Sequence, residues 1–245
     1  LTGRLVIPAE YNGKPITSID HHAFANMNIL GLTSQISSVS IPDTITDLGR
    51  QSFYGCTLLT SVKIPAGVIE IGSAFDKCSG IRTITVSPNS ETFYSENNCV
   101  IRKSNNVLVF GCSTSIIPDY VKGIGDNAFM GCAQLKSVNI PYGVEFIGES
   151  SFAQCDNLKT VIIPDSVQSI GEYSFWNCIR LTNINIPHGI EEISDYAFDS
   201  CYWLASIAIP DSVVHLGSFA LSSTALSSIF IPDSVKTLGD FTFSD

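Results

Sequence analysis

The sequence contains no apolar run of about 18 residues, the length a membrane-spanning helix needs. Its opening, LTGRLVIPAEYNG, has neither the basic head nor the apolar stretch of a secretory leader. Charge is scarce: Asp, Glu, Lys and Arg make up 15% of the residues, and 23 acidic side chains against 13 basic ones leave a net charge of -10. So few cations argue against general nucleic-acid binding and against adsorption to an anionic membrane. Eight cysteines in 245 residues are too sparse for a disulfide-stapled miniprotein, and no CxxC pair points to zinc or to a redox centre. Also missing are an N-x-S/T acceptor, a G-x-x-x-x-G-K-[ST] loop, an H-E-x-x-H helix and an EF-hand loop. Cofactors and metals are therefore not expected, and small ligands, glycans and proteins remain as partner classes.

What is present is repetition. Ile-Pro recurs at Ile41, Ile64, Ile117, Ile140, Ile163, Ile186, Ile209 and Ile231, preceded by Ile7-Pro8 and with Val86-x-Pro88 as a degenerate copy; from Pro118 to Pro210 the step is always 23 residues. Phenylalanines run in phase at Phe24, Phe53, Phe75, Phe129, Phe152, Phe175, Phe198, Phe219 and Phe241, which reads as one column filled by nine of the 14 phenylalanines. A unit opens L-x-x-L-x-L, as at Leu135 to Ile140, where Val138 and Ile140 alternate inward and Asn139 outward. Pro141 lacks a ladder donor and ends the strand. Gly148, with Gly49, Gly72, Gly125, Gly171, Gly217 and Gly239, reads as a tight turn, from which Ser194 departs. The short G-x-x-A/S-F-x-x-C segment that follows is too brief for a helix.

A single such coil buries nothing, whereas stacked coils share one core. The pattern predicts an α/β leucine-rich-repeat right-handed solenoid of about ten coils over 1–245, with a parallel β-sheet on its concave face and few or no true helices. An antiparallel sandwich would not keep one side-chain column in fixed phase, and a helical repeat is excluded by a proline and a glycine in almost every unit. The period breaks twice. The segment between Phe24 and Ile36 is longer than its counterpart, and Met27, Ile29 and Leu32 are expected to fold back onto the core. Between Pro88 and Pro118 the step grows to 30 residues, and Cys99 to Phe110 reads as two strands around Ser-Asn-Asn, a hairpin insertion at about 89–117.

The compound motif I-P-[D]-[ST]-V-x-x-I-G-x-x-[AS]-F-x-x-C, seen from Ile163 to Cys178 and with drift along nearly the whole chain, resembles the BspA-like bacterial leucine-rich repeats. The opening GRLVIPAEYNGKPITSI and the hairpin unit are similar to features of that family. The resemblance implies a secreted or surface-displayed protein of host-associated bacteria or mucosal protozoa, some members being adhesins for extracellular-matrix proteins. It implies no catalytic residue. Departures from the pattern are Ser194 in the glycine column and Ser222 and Ser244 at the expected cysteine position.

Positions two, three and five of each strand should line the concave sheet. From Ser37 to Phe230 these are 24 positions; 13 are Ser or Thr, four are Lys or Arg (Lys63, Arg82, Lys136 and Lys159), and none is acidic. One reading is stability alone, since carboxylates stacked about 4.8 Å apart repel and threonine suits strands. The other is a shallow polar groove for an acidic partner, with Lys63, Arg82, Lys136, Asn139, Lys159, Asn183, Asn185 and Phe230 as candidate binding residues. Trp176 and Trp203, with Tyr54 and Tyr202, lie near the convex side or rim, as turn covers or as a gripping edge.

Cys56, Cys78, Cys132, Cys155, Cys178 and Cys201 each follow a column phenylalanine by three residues and read as stacked buried thiols. Cys99 and Cys112 flank the hairpin strands and are the pair placed for a bridge. The aspartates of the I-P-D corners (Asp43, Asp119, Asp165, Asp211, Asp233) read as turn caps accepting from the backbone two residues on. A glycosidase needs a carboxylate pair in a cleft, and His21, His22, His188 and His215 fall in distant turns with no nucleophile beside them. A non-catalytic extracellular recognition or adhesion module for a protein, a glycoprotein or a glycan is the expected function. The alternative is a structural stalk, ten coils giving a rod of about 50 Å, and a carbohydrate-active enzyme is the remote third. The end at Asp245 without a polar cap predicts a longer protein or a covered last coil.

Overall fold

A computed structural model describes residues 2–26 and 35–244, so the expected fold-back of Met27, Ile29 and Leu32 lies outside the described residues. The chain divides into two compact units, Leu1–Ser115 and Ile116–Asp245. Both are strand-rich repeat solenoids, and no helix occurs among the described residues.

The coil from Leu158 to Cys178 shows why the motif folds as it does. Leu158, Val161, Ile163, Val167, Ile170, Phe175 and Cys178 are all buried, whereas Lys159, Thr160, Ile162, Asp165, Gln168 and Ser169 between them are exposed. Apolar residues thus mark every point where the chain crosses the interior. Each buried aliphatic or aromatic side chain contributes about 1.5–3 kcal/mol, but only because the next coil closes over it.

In the Ile116–Asp245 unit, Ser137–Asn139, Thr160–Ile162 and Asn183–Ile184 form a parallel ladder in which Ser137 faces Thr160 and Thr160 faces Asn183. The equivalent segments at 205–210 and 226–232 carry no strand, contrary to the expectation of a strand in every coil. A second ladder, absent from the sequence reading, follows each Ile-Pro corner: Gly123–Ile124, Phe146–Ile147 and Ser169–Ile170 pair in parallel, as do Glu192–Ile193, His215–Leu216 and Thr237–Leu238.

The two sets belong to separate sheets, and Ser194 stands where they part. The glycine column does not supply left-handed turns, Gly72 (φ 48°) being the exception. It supplies clearance: a Cβ on Gly171 would lie 2.7 Å from the Glu149 nitrogen, and one on Gly217 2.5 Å from the Asp195 nitrogen. Elsewhere the glycine N–H donates to the preceding coil, as Gly171 does to the Ile147 carbonyl at 2.8 Å. At Ser194 the side-chain hydroxyl donates to the Ile170 carbonyl instead (2.7 Å).

Left-handed residues do occur, two places before and two places after the column phenylalanine: Ser150, Tyr173 and Tyr196 in the first position, and Gln154, Asn177 and Ser200 in the second. They let the corner run flat, so its backbone forms a third ladder in which the Phe152 and Phe175 N–H groups donate to Ser174 and Ala197 of the next coil (2.8 and 2.9 Å). Small residues are needed just before each phenylalanine, and Ser151, Ser174 and Ala197 there are fully buried. The Ser174 hydroxyl has no hydrogen-bond partner. Ser174→Ala is therefore expected to leave stability unchanged or raise it by about 1 kcal/mol, read from urea unfolding, because it removes an unsatisfied buried group.

The phenylalanine column itself requires a correction. Phe129, Phe152, Phe175 and Phe198 stack with centroids 5.1, 5.3 and 5.5 Å apart. The next member is Leu221, whose N–H donates to the following coil as Phe198 does. Phe219 and Phe241 instead continue a second stack with Tyr173 and Tyr196, at spacings of 4.6, 4.8 and 5.0 Å. The four-residue step from the column glycine, which reaches Leu221 from Gly217 and Phe243 from Gly239, is the signal that separates the two columns. Thr224 consequently stands three residues after Leu221 where other coils have cysteine, and Ser222 and Ser244 do not.

The Leu1–Ser115 unit repeats the scheme with parallel pairs Thr2–Val6 with Gln35–Ser40, and Ser61–Ile64 with Thr83–Val86. A hairpin joins Glu10–Tyr11 to Lys14–Pro15 through Asn12-Gly13, both with positive φ, the pair such two-residue turns favour. In the long step, Phe93–Glu96, Cys99–Arg102 and Val107–Phe110 form an antiparallel meander. Its first turn is Asn97-Asn98, again with positive φ at both residues. The meander substitutes for a coil in the core: Phe110 stacks on Phe75 at 5.4 Å, extending the Phe24, Phe53, Phe75 stack. Arg102 anchors it, paired with Glu70 at 2.9 Å and lying over the Phe93 ring.

Candidate functional site

The strand face of the Ile116–Asp245 unit is built by the pleat. Each coil's second, third and fifth strand residues turn outward because the first, fourth and sixth are drawn into the core. Lys136, Ser137, Asn139, Lys159, Thr160, Ile162, Thr182, Asn183 and Asn185 are all exposed. The Lys159 N–H donates to the Lys136 carbonyl (3.1 Å) and the Thr182 N–H to the Lys159 carbonyl (2.9 Å), so Lys136, Lys159 and Thr182 form one column. The structure brings Lys136 and Lys159 together as neighbours. In the other unit Lys63 faces Thr85 and the Arg82 N–H donates to Thr60, so these two exposed cations occupy different columns. Among the described residues the ion pairs are Arg102–Glu70, Lys122–Glu145 and His188–Asp165, and none involves Lys63, Arg82, Lys136 or Lys159.

Two of the candidate residues stand apart. The Asn185 amide donates to the Ile163 carbonyl (2.7 Å) and accepts from the Ile163 N–H (2.8 Å), standing in for a ladder step at the strand end. Its side chain is spent on the fold. Phe230 is 77% exposed, in a segment that carries no strand.

The thiols belong to the core. All eight cysteines are buried thiols, so Cys99 and Cys112 are not bridged; the Cys112 sulfur lies 3.3 Å from the Thr114 hydroxyl. In the column, Cys78, Cys155, Cys178 and Cys201 donate to the carbonyls of Phe53, Phe129, Phe152 and Phe175, each in the coil before, at 3.1 to 3.3 Å. Burial pushes the Cys178 thiol up to about 12, and raises Cys155 and Cys201 as well. A nucleophilic cysteine needs the opposite shift.

Of the corner aspartates expected to cap their own turns, Asp43 and Asp165 bridge coils instead. Asp43 accepts from the Ala66 N–H (3.0 Å) and Asp165 from the His188 N–H (3.3 Å), each 23 residues on. The 23-residue register brings a backbone donor of the next coil within reach of each carboxylate. Asp76 is a buried carboxylate: it is 4% exposed, one of its oxygens has no hydrogen-bond partner, and its pKa is raised to about 7 by burial, against the lowering effects of a Gln51 hydrogen bond and of Arg50 and Lys77.

The aromatic residues outside the stacks divide. The Trp176 indole N–H donates to Asp199 of the next coil (2.9 Å) and its ring meets Tyr173 edge-on, so it is a half-buried turn cover. Tyr54 is half-buried beneath Lys77. Trp203 and Tyr202 are 58% and 55% exposed, and the Arg180 guanidinium lies 6.0 Å from the Trp203 ring centre. A depression of about 400 Å³ at the Ile-Pro corners is lined by Ile163, Asn185, His188 and Pro210, with the exposed Asp165–His188 pair beside it.

The geometry agrees with what the chain resembles. Its residues 10–121 and 122–245 match the family model described as BspA type leucine rich repeat region, with six copies. Among solved structures, a leucine-rich repeat protein from Bacteroides ovatus is 29% identical with a TM-score of 0.59, over 98% of this chain and 54% of the other. The chain thus spans about half the length of that protein. A leucine-rich repeat protein from Eubacterium ventriosum is 19% identical with a TM-score of 0.50, over 95% of this chain and 79% of the other. A leucine rich cell surface protein from Faecalibacterium prausnitzii is 24% identical with a TM-score of 0.42, over 98% of this chain and 72% of the other. Comparison with curated proteins gives no significant match. With the model covering nearly the whole sequence and the repeat core in place, this chain belongs to the BspA-type leucine-rich repeat family.

Proposed function

We propose that this chain is a non-catalytic recognition module at the cell surface, which takes a protein or glycoprotein partner on the strand face of its Ile116–Asp245 unit through Lys136, Asn139, Lys159 and Asn183. Lys63 and Arg82 offer a further contact surface on the Leu1–Ser115 unit, and Phe230 an apolar one. The observation that supports this reading is the charge asymmetry. A chain of net charge -10 keeps its strand face free of carboxylates and leaves the cations there without ion-pair partners among the described residues. Such a face steers an acidic partner inward while the rest of the surface repels it.

Titration of immobilised extracellular-matrix proteins and of intact epithelial cells with the chain tests this. Lys136→Ser combined with Lys159→Ser is expected to weaken binding at least about tenfold, or about 1.4 kcal/mol, and to flatten its salt dependence. The same binding curve from the doubly substituted chain would remove the strand face from the reading. A chain that binds none of these targets, wild type included, is expected of a spacer.

A further inference from the structure

We infer that the strand face of the Ile116–Asp245 unit, together with the rim that leads into it, forms a subsite for an anionic oligosaccharide, in which Lys136, Lys159 and Arg180 take acidic groups and Trp203 takes a sugar ring. The inference rests on the recognition reading above and narrows its ligand.

Lys136 and Lys159 stand side by side on adjacent strands, about 4.8 Å apart at the backbone. Like charges in that relation oppose each other, and neither has a carboxylate partner among the described residues. A bound anion converts the repulsion into two attractions.

The rim supplies the rest. Two residues after the cysteine position, just ahead of each strand, the successive coils place Gln134, Asn157, Arg180 and Trp203. The Asn157 amide donates to the Ala133 carbonyl (2.6 Å), and its oxygen accepts from Arg180 Nη1 (3.1 Å). Arg180 is thereby held in place with most of its five N–H donors left for a ligand. Trp203 presents a largely exposed indole beside that guanidinium.

The chemistry of this arrangement favours a sugar over an acidic peptide. Peptide recognition draws its affinity from side chains anchored in apolar pockets, and the floor here is the column Ser137, Thr160 and Asn183, hydroxyls and an amide, with Ile162 between Asn139 and Asn185 the one exposed apolar side chain among the second, third and fifth strand positions of these three coils. These suit the alternating donors and acceptors of a sugar, whose C–H face lies on an aromatic ring. From the Lys136 coil to the Trp203 coil is three coil spacings, about 14 Å, so the ligand has several rings. Its acidic groups are carboxylates or sulfates, which Arg and Lys bind by the same charge-assisted hydrogen bonds.

The test uses the whole chain and calorimetric titration with 3′-sialyllactose, a heparin hexasaccharide, neutral lactose and poly-L-glutamate. Binding of the sialylated or the sulfated sugar, with lactose at least about tenfold weaker, is expected, and it identifies carboxylate or sulfate as the group read. Trp203→Ala is expected to weaken the acidic sugar at least about tenfold while leaving poly-L-glutamate unchanged; Arg180→Ser should weaken both. Trp203 and Arg180 lie at the surface, so an unshifted melting temperature verifies the fold of each variant. Poly-L-glutamate binding as tightly as the sugars, with no response to Trp203→Ala, would assign the face to acidic peptides and overturn the inference. Failure of every acidic sugar overturns it too, yet leaves the recognition reading standing if matrix proteins or cells still bind through Lys136 and Lys159.

Discussion

Replacing Phe152 by alanine is expected to destabilise the Ile116–Asp245 unit by about 4 kcal/mol, within the range of 3–5 found for buried phenylalanines. The ring is fully buried and sandwiched between Phe129 and Phe175, with centroids at 5.1 and 5.3 Å. Truncation therefore opens a cavity and removes two aromatic contacts together, and these add about 0.5–1.5 kcal/mol each beyond the area they bury. The flanking coils cannot close the gap, because three ladders hold them at a fixed spacing. Leucine at the same site should cost far less, on the order of 1–1.5 kcal/mol, since Leu221 fills the equivalent position and is itself buried. Urea unfolding followed by far-ultraviolet circular dichroism measures both variants. In a solenoid each repeat leans on its neighbours, so Phe152→Ala should also broaden the transition as the coils on either side of it uncouple. An alanine variant within about 1 kcal/mol of wild type would mean that the stack is not what holds the coils together.

The second large effect concerns Asp76. Its pKa is raised from 3.8 to about 7 by burial, the Gln51 hydrogen bond and the cations Arg50 and Lys77 recovering only part of the loss. Between about pH 4 and pH 7 the unfolded chain has released the Asp76 proton while the folded chain keeps it. Folding then takes up a proton, and this contribution to stability falls as pH rises through that window. Above pH 7 both states are ionised and the penalty is constant. Three pKa units correspond to about 4 kcal/mol at 1.36 kcal/mol each, an upper figure for a group whose charge Arg50 and Lys77 partly offset. Asp76→Asn keeps the shape and removes the charge. It is expected to stabilise the Leu1–Ser115 unit by about 2–4 kcal/mol at pH 8, to change little at pH 4, and to flatten the slope between. Thermal unfolding at a series of pH values reads this, and parallel curves for the two proteins would show that Asp76 ionises in the fold without cost.

The neighbouring coils show why this carboxylate is unusual. Asp199 occupies the same place, one residue past the column phenylalanine, and is satisfied by the Trp176 indole and the Ser200 hydroxyl. Asp76 has an oxygen with no hydrogen-bond partner. The sequence shows an aspartate at both places, and the difference lies in the coil beneath: tryptophan at 176 in one case and tyrosine at 54 in the other.

Periodicity by itself determined that the chain is a repeat solenoid, that Ile, Val, Leu, Phe and Cys at fixed phase make its core, and that Lys63, Arg82, Lys136 and Lys159 face outward. These follow from a pattern read one residue at a time, because in a stacked coil the inward or outward direction of a side chain is set by its phase. What the tertiary structure decided depends on the neighbouring coil. The glycine column exists for clearance against the backbone one coil earlier, and where Ser194 replaces the glycine its hydroxyl takes the Ile170 carbonyl at the place where two sheets part. Phe219 and Phe241 belong to the tyrosine stack because their rings lie over Tyr196 and over each other. Asn185, outward by phase, is spent on Ile163, while Arg180 and Trp203, in turns with no strand periodicity to mark them, come together on adjacent coils. Contacts between residues about 23 positions apart are invisible to a local pattern, and in this fold they decide which exposed side chains are left for a partner.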